Sequence, residues 1–197
     1  MTRSTSHVLI DHLWEETSRT RDALWTIGFS LLTALLAQIK IPLPYTTVPL
    51  TGQTFSVLLS GAVLGSRRGF LSQALYLAEG AAGLPVFAGG AGTFAHLLGD
   101  TGGYLWSYPL AAALVGWLVE RGAGRKTWSL AVALISSDIL ILASGALWLH
   151  TFFAMPFRQA WLLGFYPFLV GDILKVLLVG ASLPRVMRRY QPSDPTG

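Results

Sequence analysis

The chain has 197 residues, 52% of them hydrophobic and only 12% charged, with a mean hydropathy of +0.53. Soluble domains carry roughly 25% charged residues, and half that share cannot clothe a globule in water, whereas an apolar solvent removes the difficulty. The net charge of +4 would suit nucleic acid, but the basic residues stand in short clusters between apolar runs, which excludes a nucleic-acid surface and reads as a membrane topology signal.

Residues 1–22 mix charges with apolar side chains and lack the apolar core of a signal peptide. Leu9 and Leu13, like Ile10 and Trp14, share a helix face at i,i+4. The segment reads as an amphipathic helix on the cytoplasmic membrane surface or as a tail without fixed structure. The membrane domain, residues 23–189, follows. A first apolar span covers 23–39 and ends at Ile41-Pro42-Leu43-Pro44. Two short spans, 54–64 and 69–82, are divided by Gly65-Ser66-Arg67-Arg68. Each falls short of the roughly 20 residues a lipid-exposed helix needs, and such helices are tolerated where protein or a cavity covers their ends. Spans at 103–119, 128–149 and 162–183 bring the expected total to six, ahead of a cytoplasmic tail at 190–197.

With the N-terminus in the cytoplasm, eleven of the 14 Lys and Arg fall on that side: Arg3, Arg19, Arg21, Arg67, Arg68, Arg121, Arg125, Lys126, Arg185, Arg188 and Arg189. Lys40 and Arg158 fall outside, and Lys175 lies within the sixth span. This bias predicts a multi-pass protein of the bacterial cytoplasmic membrane with both termini inside. The long connections at 40–53 and 83–102 then face outward as candidate lids over a binding site.

Ionisable groups inside spans point to function, since each is expensive against lipid. There are four: Glu79, Asp138, Asp172 and Lys175. Asp172 and Lys175 stand at i,i+3 and share a helix face. They offer an anionic acceptor beside a cationic donor, the complement of a cyclic urea or amide edge; an ion pair that only fixes helix packing is the other reading. Asp138 binds a proton or cation, or is protonated and hydrogen-bonded to a neighbouring helix. Glu79 lines a cavity or reaches water at its mouth. No nucleotide-binding loop of the Gly-Lys-Ser/Thr type is present, no nucleophile has a partnered base, and His7, His12, His96 and His150 form no cluster of metal ligands. No metal or cofactor is expected.

Four motifs then occur in order. They are Ile41-Pro42-Leu43-Pro44-Tyr45-Thr46-Thr47-Val48-Pro49-Leu50-Thr51-Gly52-Gln53-Thr54-Phe55; Tyr76-Leu77-Ala78-Glu79-Gly80-Ala81-Ala82-Gly83-Leu84-Pro85-Val86-Phe87-Ala88-Gly89-Gly90; Thr101-Gly102-Gly103-Tyr104-Leu105; and Gly171-Asp172-Ile173-Leu174-Lys175. Together they resemble the BioY family over residues 31–183. The resemblance implies the substrate-binding (S) component of an energy-coupling-factor (ECF) transporter. Such a component is an all-α bundle of six membrane helices that binds biotin near the outer surface and is not an enzyme. It also implies docking on a transmembrane ECF-T subunit joined to ABC-type ATPase subunits.

The ureido head of biotin suits Asp172 and Lys175. Phe87, Tyr104, Trp106 and Tyr166 are candidate aromatic walls, and Gln53 and Thr54 candidate hydrogen-bonding groups. The carboxylate tail suits backbone N–H groups around Gly89-Gly90 or Gly102-Gly103, with Gly90 as a candidate contact and Glu79 as an extra acceptor. Asp100 and Glu79 depart from the family pattern. For docking, Ser30, Ala34 and Ala37 form a small-residue stripe on the first span, where ordinary packing within the bundle is the alternative. An S component for another vitamin, or a membrane enzyme acting on lipid or peptide, would be the competing classes. The motifs argue against the first and the missing nucleophile–base pair against the second.

Overall fold

The computed structural model describes residues 19–169, 171–173 and 178–179. The expected surface helix before Arg19, Lys175, the end of the sixth span and the tail at 190–197 lie outside these residues. Helix α1 covers Arg19–Ala37. A two-residue ribbon follows, β1 (Lys40–Ile41) against β2 (Leu50–Thr51), antiparallel with Lys40 opposite Thr51 and Ile41 opposite Leu50. It folds the Pro-rich connection back on itself, so that β2 delivers the chain directly into α2 (Gln53–Ala81).

Helix α2 contains the break that Gly65-Ser66-Arg67-Arg68 predicts. Gly65 has φ 84° and ψ −180°, a conformation essentially confined to glycine, and there the chain doubles back. Gln53 Nε2 donates to the Tyr76 hydroxyl at 2.6 Å, although a straight helix would hold those residues about 35 Å apart. A Cβ added at Gly69 would meet Gly61 Cα at 3.0 Å. The two short spans of the sequence are therefore the two arms of one helical hairpin. Helix α1 lies against it through a buried polar seam. Thr33 Oγ1 meets Ser56 Oγ at 2.9 Å, and Gln73 Nε2 reaches Ser60 Oγ at 3.1 Å and Thr33 Oγ1 at 3.2 Å. Small hydroxyl and amide groups of this kind join helices where apolar contact alone gives little advantage over lipid.

After α2, a 3-10 helix at Phe94–Leu98, N-capped by the Thr93 side chain, leads to α3 (Gly102–Glu120). A short 3-10 turn at Ala123–Arg125 joins α3 to α4 (Thr127–Phe152). Glycines let α3 approach closely on both sides: a Cβ at Gly61 would overlap the Ala112 carbonyl, and one at Gly116 would overlap Gly65 and Ser66. By length and composition, α4 suffices by itself to cross a membrane, with 26 residues and a mean hydropathy of 2.1. Each arm of α2, on either side of Gly65, is shorter than the roughly 20 residues of a lipid-exposed span, and α1 opens on Arg19, Arg21 and Asp22.

The sixth span begins differently from the expectation of one helix from residue 162. Helix α5 (Phe157–Gly164) closes at Phe165, and helix resumes over 166–169. Pro167 has no N–H to offer the Leu163 carbonyl, so an unbroken helix through this point would lose a hydrogen bond.

Candidate binding site

The cavity at the ribbon end of the bundle is walled by five parts of the chain. The β2 strand and the start of α2 supply Val48 to Thr51, Gln53 and Thr54. The connection after α2 gives Ala88 and His96. Helix α3 and the turn before it give Thr101, Tyr104, Leu105 and Tyr108, and Leu142, Phe168 and Asp172 complete the wall. Counting its open mouth, the empty space is about 510 Å³. Most of the lining is apolar or aromatic with a few polar groups among it, the composition of a small-molecule site.

Glycines set the aromatic wall. Tyr104 is buried, and a Cβ at Gly145 of α4 would overlap its ring. Its hydroxyl donates to the Gly164 carbonyl at the end of α5, so α3, α4 and α5 are tied at one side chain. The Gly102-Gly103 pair is needed for packing. A Cβ at Gly102 would overlap the Leu97 carbonyl and one at Gly103 the Trp148 side chain, while Trp148 Nε1 donates to the Gly99 carbonyl at 3.0 Å. These glycines lock the turn before α3 against α4.

The polar groups are also built in. Asp172 is only 2% exposed, and Thr54 Oγ1 donates to its Oδ1 at 3.2 Å. Gln53 accepts from Thr51 Oγ1 at 2.8 Å and donates to Tyr76, whose hydroxyl donates to the Val86 carbonyl at 3.1 Å. This chain of bonds anchors the 83–102 connection to the α2 hairpin beside the cavity.

Of the residues singled out in the sequence, Gln53, Thr54, Tyr104 and Asp172 line this one cavity. Lys175 lies outside the described residues. Phe87 stands behind the wall: it is buried, edge-on to Tyr76 at 5.5 Å and stacked on His96 at 5.1 Å between ring centres. A Cβ at Gly80 would overlap the Phe87 ring, which explains the glycine after Glu79. Gly90 is placed in a turn with φ 74°, outside the residues that line the cavity, and its N–H donates to the Phe87 carbonyl at 3.0 Å. Tyr166 is 56% exposed and packs edge-on against Phe165. It lies off the cavity because Phe168, two residues on and so on the opposite face of the helix, takes the inward position. Glu79 is also off the cavity: its Oε2 accepts from Ser30 Oγ of α1 at 2.5 Å.

The small-residue stripe of α1 faces into the bundle. Ser30 and Ala37 are buried and Ala34 packs against the core, so small-residue spacing here serves contact between α1 and α2. The face of α1 turned outward is Leu24, Ile27, Leu31 and Leu35.

Sequence reasoning missed His96, Thr101 and Tyr108. His96 Nε2 lies 3.4 Å from Thr101 Oγ1. Burial holds its imidazole below the ordinary pKa; the negative charge of Asp100 works against that and the positive charge of Lys40 with it. Among the described residues no three His, Asp or Glu side chains gather as metal ligands.

A family model described as BioY family matches residues 6–192. The chain is 44% identical over 147 residues to the "Probable biotin transporter BioY" of Pyrococcus horikoshii, covering 75% of this chain and 84% of that protein. It is 40% identical over 160 residues to the biotin transporter BioY of Thermotoga maritima, covering 81% and 92%. Among solved structures, the S-component for biotin from an ECF-type ABC transporter superposes with a TM-score of 0.81 over 90% of this chain and 97% of that one. At 22% identity that likeness is one of fold. The match of the family model along almost the whole chain, joined to close relatives that share its length, places this protein in the BioY family.

Proposed function

We propose that this chain captures biotin at the outer face of the cytoplasmic membrane and carries it inward as the S component of an ECF transporter. The observation that carries the reading is the cavity itself. In a chain of the BioY family, a buried carboxylate and a threonine hydroxyl meet an aromatic wall in one cavity. A ureido ring presents N–H donors, and the Asp172 carboxylate is the acceptor placed to receive them. Lys175, one helical turn further in sequence, is the donor proposed for the ring carbonyl.

The chain has no nucleotide-binding motif, so energy must come from partners: a transmembrane ECF-T subunit and ABC-type ATPases. The purified chain is expected to bind biotin saturably without converting it, and, alone in liposomes, to gain no uphill uptake when ATP is added. Chemical turnover of biotin or of a lipid, or no saturable biotin binding at all, defeats the proposal.

The same reading has six membrane helices with both termini cytoplasmic. Supporting it, Arg67 and Arg68 at the hinge of α2 share one end of the bundle with the turn after α3. Ser66 donates to Glu120 at 2.7 Å, Arg68 pairs with Asp22 at 3.0 Å, and the Arg121 guanidinium sits 3.4 Å above the Trp117 ring. Lys40 stands at the cavity end, beside Gly89. Clustered Arg favours the cytoplasmic side, and Trp sits at either membrane interface. A cysteine at position 121 should resist an impermeant thiol reagent applied to intact cells, and one at position 45 should react. The reverse pattern overturns the orientation.

A further inference from the structure

His96 and Asp172 line the same cavity. Asp172 is a buried carboxylate that accepts from Thr54. His96 is an imidazole on which Asp100 and Lys40 act with opposite sign. A ligand with a neutral polar head and a carboxylate tail is therefore favoured one way round, with the tail at the wall group that can become a cation. Its tail would meet repulsion at Asp172, and the Gly90 N–H, a possible alternative donor, already serves the Phe87 carbonyl.

His96 is built to receive that tail. It sits in the 3-10 helix whose first turn is capped by Thr93, its ring is stacked on the buried Phe87, and Thr101 Oγ1 borders Nε2. These contacts fix the ring plane, so the imidazole is preorganised before a ligand arrives.

We propose that His96 holds the carboxylate of the bound vitamin at the cavity mouth, that this contact sets the orientation of the ligand, and that it draws a proton on to His96 as the ligand binds. The inference rests on the reading of the site as a biotin site. An incoming carboxylate adds a negative charge beside the imidazole and favours its charged form. Its pKa in the complex therefore lies above that in the free protein. Affinity is then highest below the free-state pKa, and the gain is lost as pH rises through the bound-state pKa. Asp100 favours the charged imidazole and Lys40 opposes it; Asp172, Tyr104 and Tyr108 line the same cavity.

The test is biotin binding to the purified full chain between about pH 5.5 and 8, where an aliphatic carboxylate, with a pKa near 4.3 in glutamate, stays ionised. The parent is expected to bind about tenfold more tightly at the acid end, a change of roughly 1.4 kcal/mol. His96→Gln keeps a hydrogen-bond donor but cannot take up the proton, and its affinity should be flat across this range. Biotinamide, which lacks the carboxylate, should bind the parent with no such slope. Asp100→Asn should move the transition to lower pH. A slope that persists in His96→Gln, or that biotinamide shares, overturns the proposal, as does a flat profile in the parent. Absence of biotin binding by the parent at every pH removes the reading beneath it and the proposal together, and is distinguishable from a flat profile.

Discussion

Asp172→Asn is expected to weaken biotin binding by at least about a hundredfold, or roughly 2.7 kcal/mol, while leaving the folded protein in the membrane. The side chain is almost fully buried and faces the cavity, with one oxygen accepting from Thr54. Asparagine matches its size and retains one acceptor, so the Thr54 bond survives. What changes is the other position, where an N–H₂ group replaces an oxygen. A ureido N–H directed there meets a donor, and two opposed donors at a position as buried as Asp172 lose the bond and its desolvation cost together. Charge matters as well, because a hydrogen bond to an ionised acceptor is about twice as strong as one between neutral groups. Lys175→Met, which keeps the apolar stem and removes the donor, should weaken binding similarly. Binding of labelled biotin, normalised to the yield of monodisperse protein, separates a ligand contact from a packing role. If both variants fold normally and bind within a few-fold of the parent, the assignment fails.

The sequence made Asp172 legible because an ionisable residue inside an apolar run stands out without any knowledge of its neighbours. The hinge of α2 was legible for a related reason: a glycine followed by charged residues in the middle of an apolar stretch admits few structures, and Gly65 adopts a backbone conformation that needs glycine. What sequence could not supply was the partner of each group. Glu79 invites a role at the cavity mouth until Ser30, 49 residues away, is found against it. The Ser30, Ala34 and Ala37 spacing fits a docking face and an internal seam equally well, and only the fold shows that the α2 hairpin covers it. Tyr166 and Phe168 are both aromatic and two positions apart; which one faces inward depends on the helical phase after Pro167, and no pattern so short fixes that phase. His96 was weighed only as a metal ligand, because a lone histidine between apolar residues carries no spacing signal for a cavity wall. Its place in the wall comes from the stack on Phe87, which in turn depends on the absence of a side chain at Gly80.

Gly145→Ala should damage both the stability of the bundle and the cavity wall. The glycine lies buried in α4, where an added Cβ would overlap the Tyr104 ring. Helix α3 has little room to retreat, because it is packed closely against α2: a Cβ at Gly61 would already overlap the Ala112 carbonyl, and one at Gly116 would overlap Gly65 and Ser66. The ring must therefore swing, and its hydroxyl leaves the Gly164 carbonyl. Overpacking of this kind costs about 1–3 kcal/mol, and a buried carbonyl without its donor adds about 1–3 kcal/mol. The thermal midpoint in detergent should fall, and biotin affinity with it, since Tyr104 is part of the cavity wall. The two losses can be told apart. In the Gly145→Ala, Tyr104→Leu double variant the smaller side chain admits the methyl group but has no hydroxyl, so stability should recover in part while affinity stays low. The pair should thus be strongly coupled in a double-mutant cycle on stability, as residues in direct contact are. An alanine variant as stable as the parent, or a cycle in which the two changes simply add, would show that α4 and Tyr104 are not packed as described.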